Sequence, residues 1–437
     1  MKGAFVSQLN IFIEYLNRSF VFYQNQLNFI TVFLFTVLFA FYSIMASQVQ
    51  VTDLTKGISS FALDFYQECA QSKPGDVIIS PLSVASALAL LSQGSGGNTF
   101  EQLRQGLHLT GDKATAANQF AEYYGLLEKS VGKSTLSIAN QIYVQKGYEI
   151  NKNFKEVAVK KFQSGIDEMN FAENVASAKA INSFVEDKTK EKIKDLIKPD
   201  MLDALTRVVL VNAIYFKGNW EYQFNKESTT QGDFYISETD TVPVDFMYIK
   251  KKFNYAVLEE LDATALEMKY ANSNFSFVIV LPNSRTGLPA LEAKLKNYDL
   301  AKITDQMHKH EVEVTIPKFK VEFEISLNDV LKKMGMSDMF SKSNADLSGL
   351  LESPEPLYVS NVVHKAFIEV NEEGSEAAAA TAVLGRKKRS LHEPIFFEAD
   401  HQFFYFITLE STKSLPVFCG TVHKPIAEGC EMEHDEL

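Results

Sequence analysis

The stretch that most constrains the fold is VVLVNAIYF, residues 208–216. It is continuously apolar and rich in β-branched residues, a pattern typical of a strand that is buried on both faces. Such a strand requires covering layers on both sides of its sheet. Residues 54–70 have apolar side chains at helical spacing, and Ser80-Pro81 combines an N-cap residue with a proline suited to the first helical position. The chain therefore combines a buried sheet with helices.

The order of the elements indicates the fold class. We expect another helix over residues 178–197, with a lysine-rich outer face, and strands over residues 275–281, 312–323 and 403–409. Helices first and strands later predict an α+β fold rather than a doubly wound α/β fold. No long Pro-, Gly- or Ser-rich linker divides residues 48–425, so one domain is predicted there.

Both ends of the chain resemble targeting signals. Residues 29–45 are uncharged and apolar, and small residues follow them, so we predict a signal peptide over residues 1–46 that is cleaved near Ala46. The alternative is an uncleaved signal anchor. The tail, residues 426–437, ends in His434, Asp435, Glu436 and Leu437, the HDEL signal that the endoplasmic reticulum retrieval receptor reads. The sequence therefore predicts the lumen of the endoplasmic reticulum, with secretion as a further possibility.

Other features narrow the class of protein. Asn274-Phe275-Ser276 is a glycosylation sequon that this compartment could use. Three cysteines, Cys69, Cys419 and Cys430, are too few for a disulfide-built scaffold. Cys430 could join another chain, although a monomer is expected. The formal net charge of −12 argues against a protein that coats nucleic acid.

The sequence offers no constellation for catalysis. It contains no His-Glu-x-x-His, no Cys-x-x-Cys pair, no Walker-type lysine and no Gly-x-Ser-x-Gly. His308 and His310 lie two residues apart, and we interpret them as a solvated pair rather than a metal site. We therefore expect no cofactor, no metal and no enzyme activity.

The informative stretch is residues 371–400. Its first part consists mostly of small side chains, although strand-like sequence lies on both sides of it. Small side chains suit a segment that inserts between two existing strands. The alternative is an exposed helical turn, because four alanines favour a helix. In a strand, Ser375, Ala377, Ala379, Thr381 and Val383 would face the core. The residues of this hinge are Gly374, Ser375, Glu376, Ala377, Ala378, Ala379, Ala380 and Thr381.

A basic run follows the small residues. Arg386, Lys387, Lys388 and Arg389 precede Ser390, and four adjacent positive charges favour an extended, solvated loop. Arg-x-Lys-Arg is the cleavage pattern of furin-like proprotein convertases, whose substrate cleft must be acidic to hold several cations. The alternative is a proprotein that is simply cut and matured at this run.

Taken together, these motifs resemble the serpin family over essentially all of residues 50–425. The strand before the hinge, the hinge and the signature at residues 397–403 all resemble that family, with Gln402 where proline is usual. Further matching segments are residues 79–83, 98–103, 138–140, 211–220 and 316–319.

The resemblance implies three β-sheets, about nine helices and an exposed reactive loop at residues 371–396, within a domain over residues 47–425. It also implies a suicide mechanism, in which a serine protease attacks the loop and forms an acyl-enzyme. The hinge then inserts into the large sheet and carries the protease with it. From Gly374 to Arg389 an extended chain spans on the order of 50 Å, at about 3.3 Å per residue.

The attacked bond has two candidate positions. Counting from Gly374 as the family does implies Lys388–Arg389, whereas the convertase pattern implies Arg389–Ser390, which we prefer. Arg386, Lys387, Lys388 and Arg389 would then be read by the protease. The resemblance is closest to insect furin-inhibiting serpins, some of which carry the same retrieval tail. The alternatives are inhibition of trypsin-like proteases, or a non-inhibitory serpin acting as a chaperone.

The resemblance also assigns structural roles. His364, Asn212 and Ser80 would form a polar cluster under the sheet that must part. Glu372 and Lys318 would pair at the top of the sheet, near Trp220, where the loop enters. Cys419 would be a buried thiol in a late strand.

Deleting His434–Leu437 is expected to send the protein into the medium, because retrieval depends on that tetrapeptide. The measurement is the ratio of secreted to cell-associated protein, with a deletion of the upstream tail residues 426–429 as the control. Unchanged retention after the deletion would point instead to residues 29–45 acting as an anchor.

Overall fold

The computed structural model describes residues 53–296, 298–353, 355–375 and 395–425. Its helical part contains α1 (helical from residue 53 to 72), α2 (Pro81–Gln93), α3 (Gly97–Gly106), α4 (Lys113–Val131), α5 (Lys152–Phe162), α6 (Asn174–Lys188), α7 (Leu288–Leu295), α8 (Ala301–Asp305) and α9 (Asn328–Lys333). The expected α+β fold with about nine helices is confirmed.

The strands dominate the second half of the chain. They are β1 (Val77–Ile79), β2 (Thr135–Gln145), β3 (Gly165–Met169), β4 (Val208–Asn219), β5 (Thr230–Tyr235), β6 (Thr241–Leu258), β7 (Ala263–Lys269), β8 (Phe275–Pro282), β9 (His308–Pro317), β10 (Phe319–Ser326), β11 (Val359–Val370), β12 (Gly374–Ser375), β13 (Ile395–Glu398), β14 (Phe403–Leu409) and β15 (Pro416–Val422).

The buried strand foreseen at residues 208–216 lies inside a six-stranded sheet. The strand order is β10-β11-β4-β2-β3, and β12 pairs with the far end of β4. Strand β4 is parallel to β11 and antiparallel to β2. All of its residues are buried except Lys217 and Asn219, which are half-buried. Burial on both faces explains why its sequence does not alternate.

The other strands form a nine-stranded network, with β5 paired to β6 beside the main order β1-β15-β14-β8-β7-β6-β9-β13. Its longest strand, β6, has 18 residues and pairs in succession with β5 (residues 241–246), β9 (residues 246–255) and β7 (residues 254–258). Because β6 runs unbroken through all three stretches, the three expected sheets form two hydrogen-bonded networks within the described residues. The strand expected over residues 312–323 is likewise two strands, separated at Lys318.

Helix α2 begins as the sequence predicts. The Ser80 hydroxyl oxygen accepts a hydrogen bond from the Ser83 backbone N–H at 3.3 Å, and Pro81 takes the first helical position. The helix is not buried along one stripe only, since every residue from Pro81 to Ser92 is buried. Its serines therefore need polar partners inside the protein.

The prediction of a helix over residues 178–197 is wrong at the C-terminal end. Helix α6 ends at Lys188, and Lys190, Glu191 and Asp195 take positive φ angles, which end a right-handed helix. The following segment, residues 189–198, is a strap that presses buried apolar side chains onto β4 and its neighbours. These side chains are Ile193, Leu196 and Ile197.

Within the described residues, no helix is both long and apolar enough to span a membrane. The predicted signal peptide lies outside them. The described part of the chain also holds no group of three or more His, Cys, Asp and Glu side chains placed to bind a metal ion. His308 and His310 are both exposed on β9.

Candidate functional site

The site is the seam between the parallel strands β4 and β11. Paired residues run from Val359 opposite Val208 to Phe367 opposite Tyr215, with one irregularity near the start. Both strands continue further, to Asn219 and Val370, but they do not pair with each other there. The seam is therefore already open at one end, which we call its top.

A polar cluster lies beneath the middle of the seam. His364 of β11 and Asn212 of β4 are direct partners in register, and His364 Nδ1 lies 2.5 Å from Asn212 Oδ1. The Ser80 backbone N–H donates to His364 Nε2 at 3.2 Å, so Nε2 carries no proton and the neutral ring donates from Nδ1 to Asn212. The structure thus brings together the three residues that the sequence assigned to this cluster.

Two further residues complete the cluster. The Asn212 amide donates to Ser83 Oγ at 2.7 Å and also to Asn140 Oδ1, and the Ser83 hydroxyl donates to Asn140 Oδ1 at 3.2 Å. Ser80 Oγ donates to the Val417 carbonyl at 2.7 Å. The sequence analysis did not assign Ser83 and Asn140 to the cluster. The sequence signal for Ser83 was its position three residues after the predicted N-cap, Ser80.

The cluster is held in one protonation state. Burial lowers the pKa of His364 to about 3. A second proton would have to sit on Nε2, which faces the Ser80 N–H donor. The ring therefore stays neutral at physiological pH, and its hydrogen bond to Asn212 crosses the seam.

At the top of the seam the chain reverses in a two-residue turn. Asn371 N–H donates to the Gly374 carbonyl at 3.0 Å, and Gly374 N–H donates back to the Asn371 carbonyl at 3.3 Å. Strand β12 then pairs antiparallel with β4, with Gly374 opposite Asn219 and Ser375 opposite Gly218. The first two hinge residues are therefore already paired with the sheet.

Glycine is required at position 374. Its φ is +146°, a conformation that other L-residues rarely adopt, and an added Cβ would lie 2.0 Å from the Gly218 carbonyl oxygen. A larger residue would therefore push β12 away from β4.

Two adjacent carboxylates in the turn have separate partners. Glu372 lies 3.6 Å from the Lys318 amine and accepts from the Thr229 hydroxyl at 2.8 Å. Burial alone would raise the pKa of Glu372, but the Thr229 hydrogen bond and the Lys318 charge hold it below its usual value. Glu373 pairs with Lys226 at 2.6 Å. The family resemblance predicted the Glu372–Lys318 pair. It did not predict Glu373, Thr229 and Lys226, which come together only in the folded chain.

Trp220 fixes the turn from the end of β4. Its indole N–H donates to the Asn371 carbonyl at 2.9 Å, and its backbone N–H donates to the Glu373 carbonyl at 2.9 Å. The ring stacks on Tyr270 with centroids 4.7 Å apart. The hinge therefore starts from a fixed point.

The remaining assigned residues are exposed, buried or outside the described part of the chain. Asn274 is exposed in the turn before β8. Cys69 and Cys419 are buried and unpaired, and burial raises the pKa of both thiols. Of the hinge, the structure describes only Gly374 and Ser375. Several assigned residues lie outside the described part of the chain: Glu376–Thr381, Arg386–Arg389, Ser390, Cys430 and His434–Leu437.

Comparison with known proteins identifies the architecture. A family model described as Serpin (serine protease inhibitor) matches residues 56–425. Alaserpin of Manduca sexta is 39% identical over 380 residues, covering 86% of this chain and 95% of its own. Antitrypsin of Bombyx mori is 34% identical, covering 86% and 97%. The crystal structure of Serpin48 of Tenebrio molitor matches with a TM-score of 0.78 at 35% identity, covering 86% and 98%.

The low pKa of His364 predicts a loss of stability in acid. The unfolded chain takes up a proton near pH 6.5 whereas the folded chain does so only near pH 3, so stability falls as the pH drops below 6.5. Each pH unit in that window is worth about 1.4 kcal/mol. Urea unfolding of wild type and His364→Asn at pH 7, 6 and 5 measures it. The variant should be less stable at pH 7 and show a shallower pH dependence; equal slopes would contradict the assignment.

Proposed function

The chain belongs to the serpin family of serine protease inhibitors and is not an enzyme, and from its reactive loop we propose that it inhibits furin-like proprotein convertases. The protease would attack the Arg389–Ser390 bond and become trapped as an acyl-enzyme while the hinge inserts between β4 and β11. The observation that carries the trapping step is the antiparallel pairing of β12 with β4 at the open top of the seam.

Two independent registers predict the same inserted strand. One is the ladder of β12 on β4, and the other is the turn that sets Asn371 opposite Gly374. Continued residue by residue, both place Thr381 between Asn212 and His364, which face each other across the seam. A strand that extends β12 therefore fits the gap between β4 and β11 without a shift in register.

The same register separates the two faces of the inserted strand. Ala377 would lie between Phe216 and Ile368, both about 1% exposed, on the face of the sheet that packs toward α2. Ala378 would lie between Tyr215 and Phe367, on the face that carries the strap after α6. Small side chains suit both positions, since neither face has room for bulk.

Insertion would be driven by the added ladder. A strand between β4 and β11 breaks their direct hydrogen bonds and forms two ladders in place of one. A net gain of roughly ten hydrogen bonds at about 0.5–1.5 kcal/mol each is on the order of 10 kcal/mol. Thr381 would also offer its hydroxyl to the polar cluster, where Asn212 and His364 lose each other as the strands part.

The basic run falls outside the inserted strand. The register sets Gly385 opposite Val208, the first residue of β4. Arg386–Arg389 would extend beyond the sheet by about 13 Å, at about 3.3 Å per residue. The residues that a protease reads are therefore distinct from those that insert, and a convertase cleft lined with carboxylates suits them.

A trypsin-like target is the second candidate, because either Lys388 or Arg389 would suit an enzyme that reads one basic residue. The relative named Antitrypsin, at 34% identity, favours it. Arg386 discriminates between the two targets, since only a convertase needs a second cation three residues upstream. A chaperone-type role without inhibition is disfavoured by the small side chains from Ala377 to Ala380, which an inserting hinge needs.

We extend the proposal to location. The apolar segment at residues 29–45 and the tetrapeptide His434–Leu437 both fit a protein of the secretory lumen, retrieved to the endoplasmic reticulum with its receptor as partner. Convertases mature substrates in the same pathway, so inhibitor and target would meet there.

The hinge should control trapping rather than recognition. Ala377→Glu is expected to leave cleavage of the loop intact but abolish covalent complexes, because an unpaired buried charge costs several kcal/mol. Ala377→Ser is the matched control, since it keeps a small, uncharged side chain at the same position. The measurement is the ratio of complex to cleaved inhibitor on a denaturing gel. Wild-type complex yield from Ala377→Glu would refute the insertion register.

The basic run should control recognition. Arg389→Ala is expected to abolish complex formation with furin, because that residue fills the primary pocket. Arg386→Ala should slow furin association by roughly one to two decades, since a charge-assisted pair is worth about 1.5–3 kcal/mol. Trypsin should tolerate Arg386→Ala far better, and association rates with both enzymes measure the difference.

Sequencing the released C-terminal peptide identifies the attacked bond. A peptide that begins at Ser390 supports attack at Arg389–Ser390. A peptide that begins at Arg389 would instead identify Lys388 as the attacked residue, and would contradict the convertase assignment.

A further inference from the structure

The end of the seam opposite its top, which we call its base, has an irregular ladder. Strands β4 and β11 begin there, at Val208 and Val359. The pairing shifts between Val359 and Asn361, so Ser360 is a bulged residue that the register skips. A bulge interrupts the regular backbone hydrogen bonds, and the groups that it frees need other partners.

Side chains supply those partners across the base of the seam. Three hydrogen bonds join residues 358–361, at the start of β11, to residues 201–207, the segment that leads into β4. They are Tyr358 Oη–H to the Leu205 carbonyl at 2.8 Å, Asn361 Nδ2–H to the Met201 carbonyl at 2.8 Å, and the Arg207 backbone N–H to Ser360 Oγ at 2.9 Å. We call these three bonds the base latch.

Both sides of the base latch are held in place. On the β11 side, the Asn328 side-chain amide donates to the Ser360 carbonyl at 2.8 Å, and its oxygen accepts from the Val362 backbone N–H at 3.0 Å. On the β4 side, the Asp203 carboxylate accepts from the Leu205 backbone N–H at 2.9 Å. The base therefore opens by breaking the latch bonds rather than by a shift of one side.

An inserted strand would replace the ladder of the seam but not the base latch. The two registers of that strand place Leu384 between Val209 and Asn361, which are partners in the closed seam. A strand at this position moves the two sides apart by about 4.8 Å. Hydrogen bonds of 2.8–2.9 Å only one or two residues away cannot span that gap.

We propose that Tyr358, Ser360 and Asn361 are positioning residues that hold the base of the seam closed and set how fast insertion is completed. In the upper part of the seam, the entering strand exchanges one ladder for two. At the base, the latch bonds are lost without a substitute, so the last step is slower than the steps before it. This step competes with hydrolysis of the acyl bond. The effect on trapping rests on the proposed function, whereas the closure of the base does not.

The first test measures amide hydrogen exchange in the uncleaved protein and needs no protease. Tyr358→Phe removes one hydroxyl of the base latch, and Asn361→Ala removes one amide. Each should speed the exchange of residues 208–213 and 358–363 roughly two- to tenfold, as loss of one hydrogen bond does, and leave the top of the seam unchanged. Tyr298→Phe is the matched control, since Tyr298 lies between α7 and α8. Thermal unfolding checks that each variant is folded.

The second test measures trapping by furin and by trypsin, as the ratio of covalent complex to cleaved inhibitor. The pH is raised until the wild type releases some cleaved inhibitor, because hydrolysis of the acyl bond needs an unprotonated base in the protease. The same two variants should raise the ratio roughly two- to tenfold while the loop is consumed at the wild-type rate. A residue with only a structural role would lower the ratio or leave it unchanged.

The outcomes separate this inference from the inhibitory proposal. If the wild type traps neither enzyme, the inhibitory proposal fails, and the exchange rates alone decide whether the latch holds the base. Exchange within twofold of Tyr298→Phe in both latch variants overturns the base latch. Faster exchange with an unchanged or lower ratio overturns its role in completing insertion.

Discussion

The parallel pairing of β4 with β11 is the contact on which the rest of the molecule depends. These strands lie far apart in sequence, both are buried on two faces, and the hydrogen bond from His364 to Asn212 joins them at the centre. Opening the seam without a replacement strand would leave buried backbone and side-chain groups unpaired, each at a cost of about 1–3 kcal/mol. Parting the seam is therefore far less costly when another strand enters and pairs with both β4 and β11.

The starting point of that strand is held by a balance of charges. Glu372 and Glu373 are adjacent and buried, so they would repel each other without separate cations. Lys318, from the junction of β9 and β10, holds the first carboxylate, and Lys226 holds the second. With Trp220 bonded to both sides of the turn, β12 is fixed in register before any protease arrives. If the hinge inserts as proposed, this pairing would set its alignment with β4 from the start.

Sequence patterns predicted the features that depend on neighbouring residues in the chain. The buried strand at residues 208–216 and the start of α2 at Ser80-Pro81 follow from burial and capping, and both were predicted correctly. The end of α6 was not, because it depends on tertiary packing: Ile193, Leu196 and Ile197 pack onto the sheet from a non-helical segment. Ser83 and Asn140, some 57 positions apart, meet only through the fold. The positions of His364, Asn212, Ser80, Lys318 and Glu372 came from family resemblance rather than from periodicity.

The register divides the reactive stretch into two parts with different constraints. Residues 374–385 would match the 12 residues of β4, and most of them are small, so the sheet constrains this part of the sequence. Residues 386–389 would lie beyond the end of β4, where no partner strand restricts them. Charge can therefore be concentrated in the second part at no cost to the first, since insertion does not bury it. If the hinge inserts as proposed, residues 386–389 would set the target, and the trapping machinery from Gly374 to the polar cluster at His364 would not depend on them.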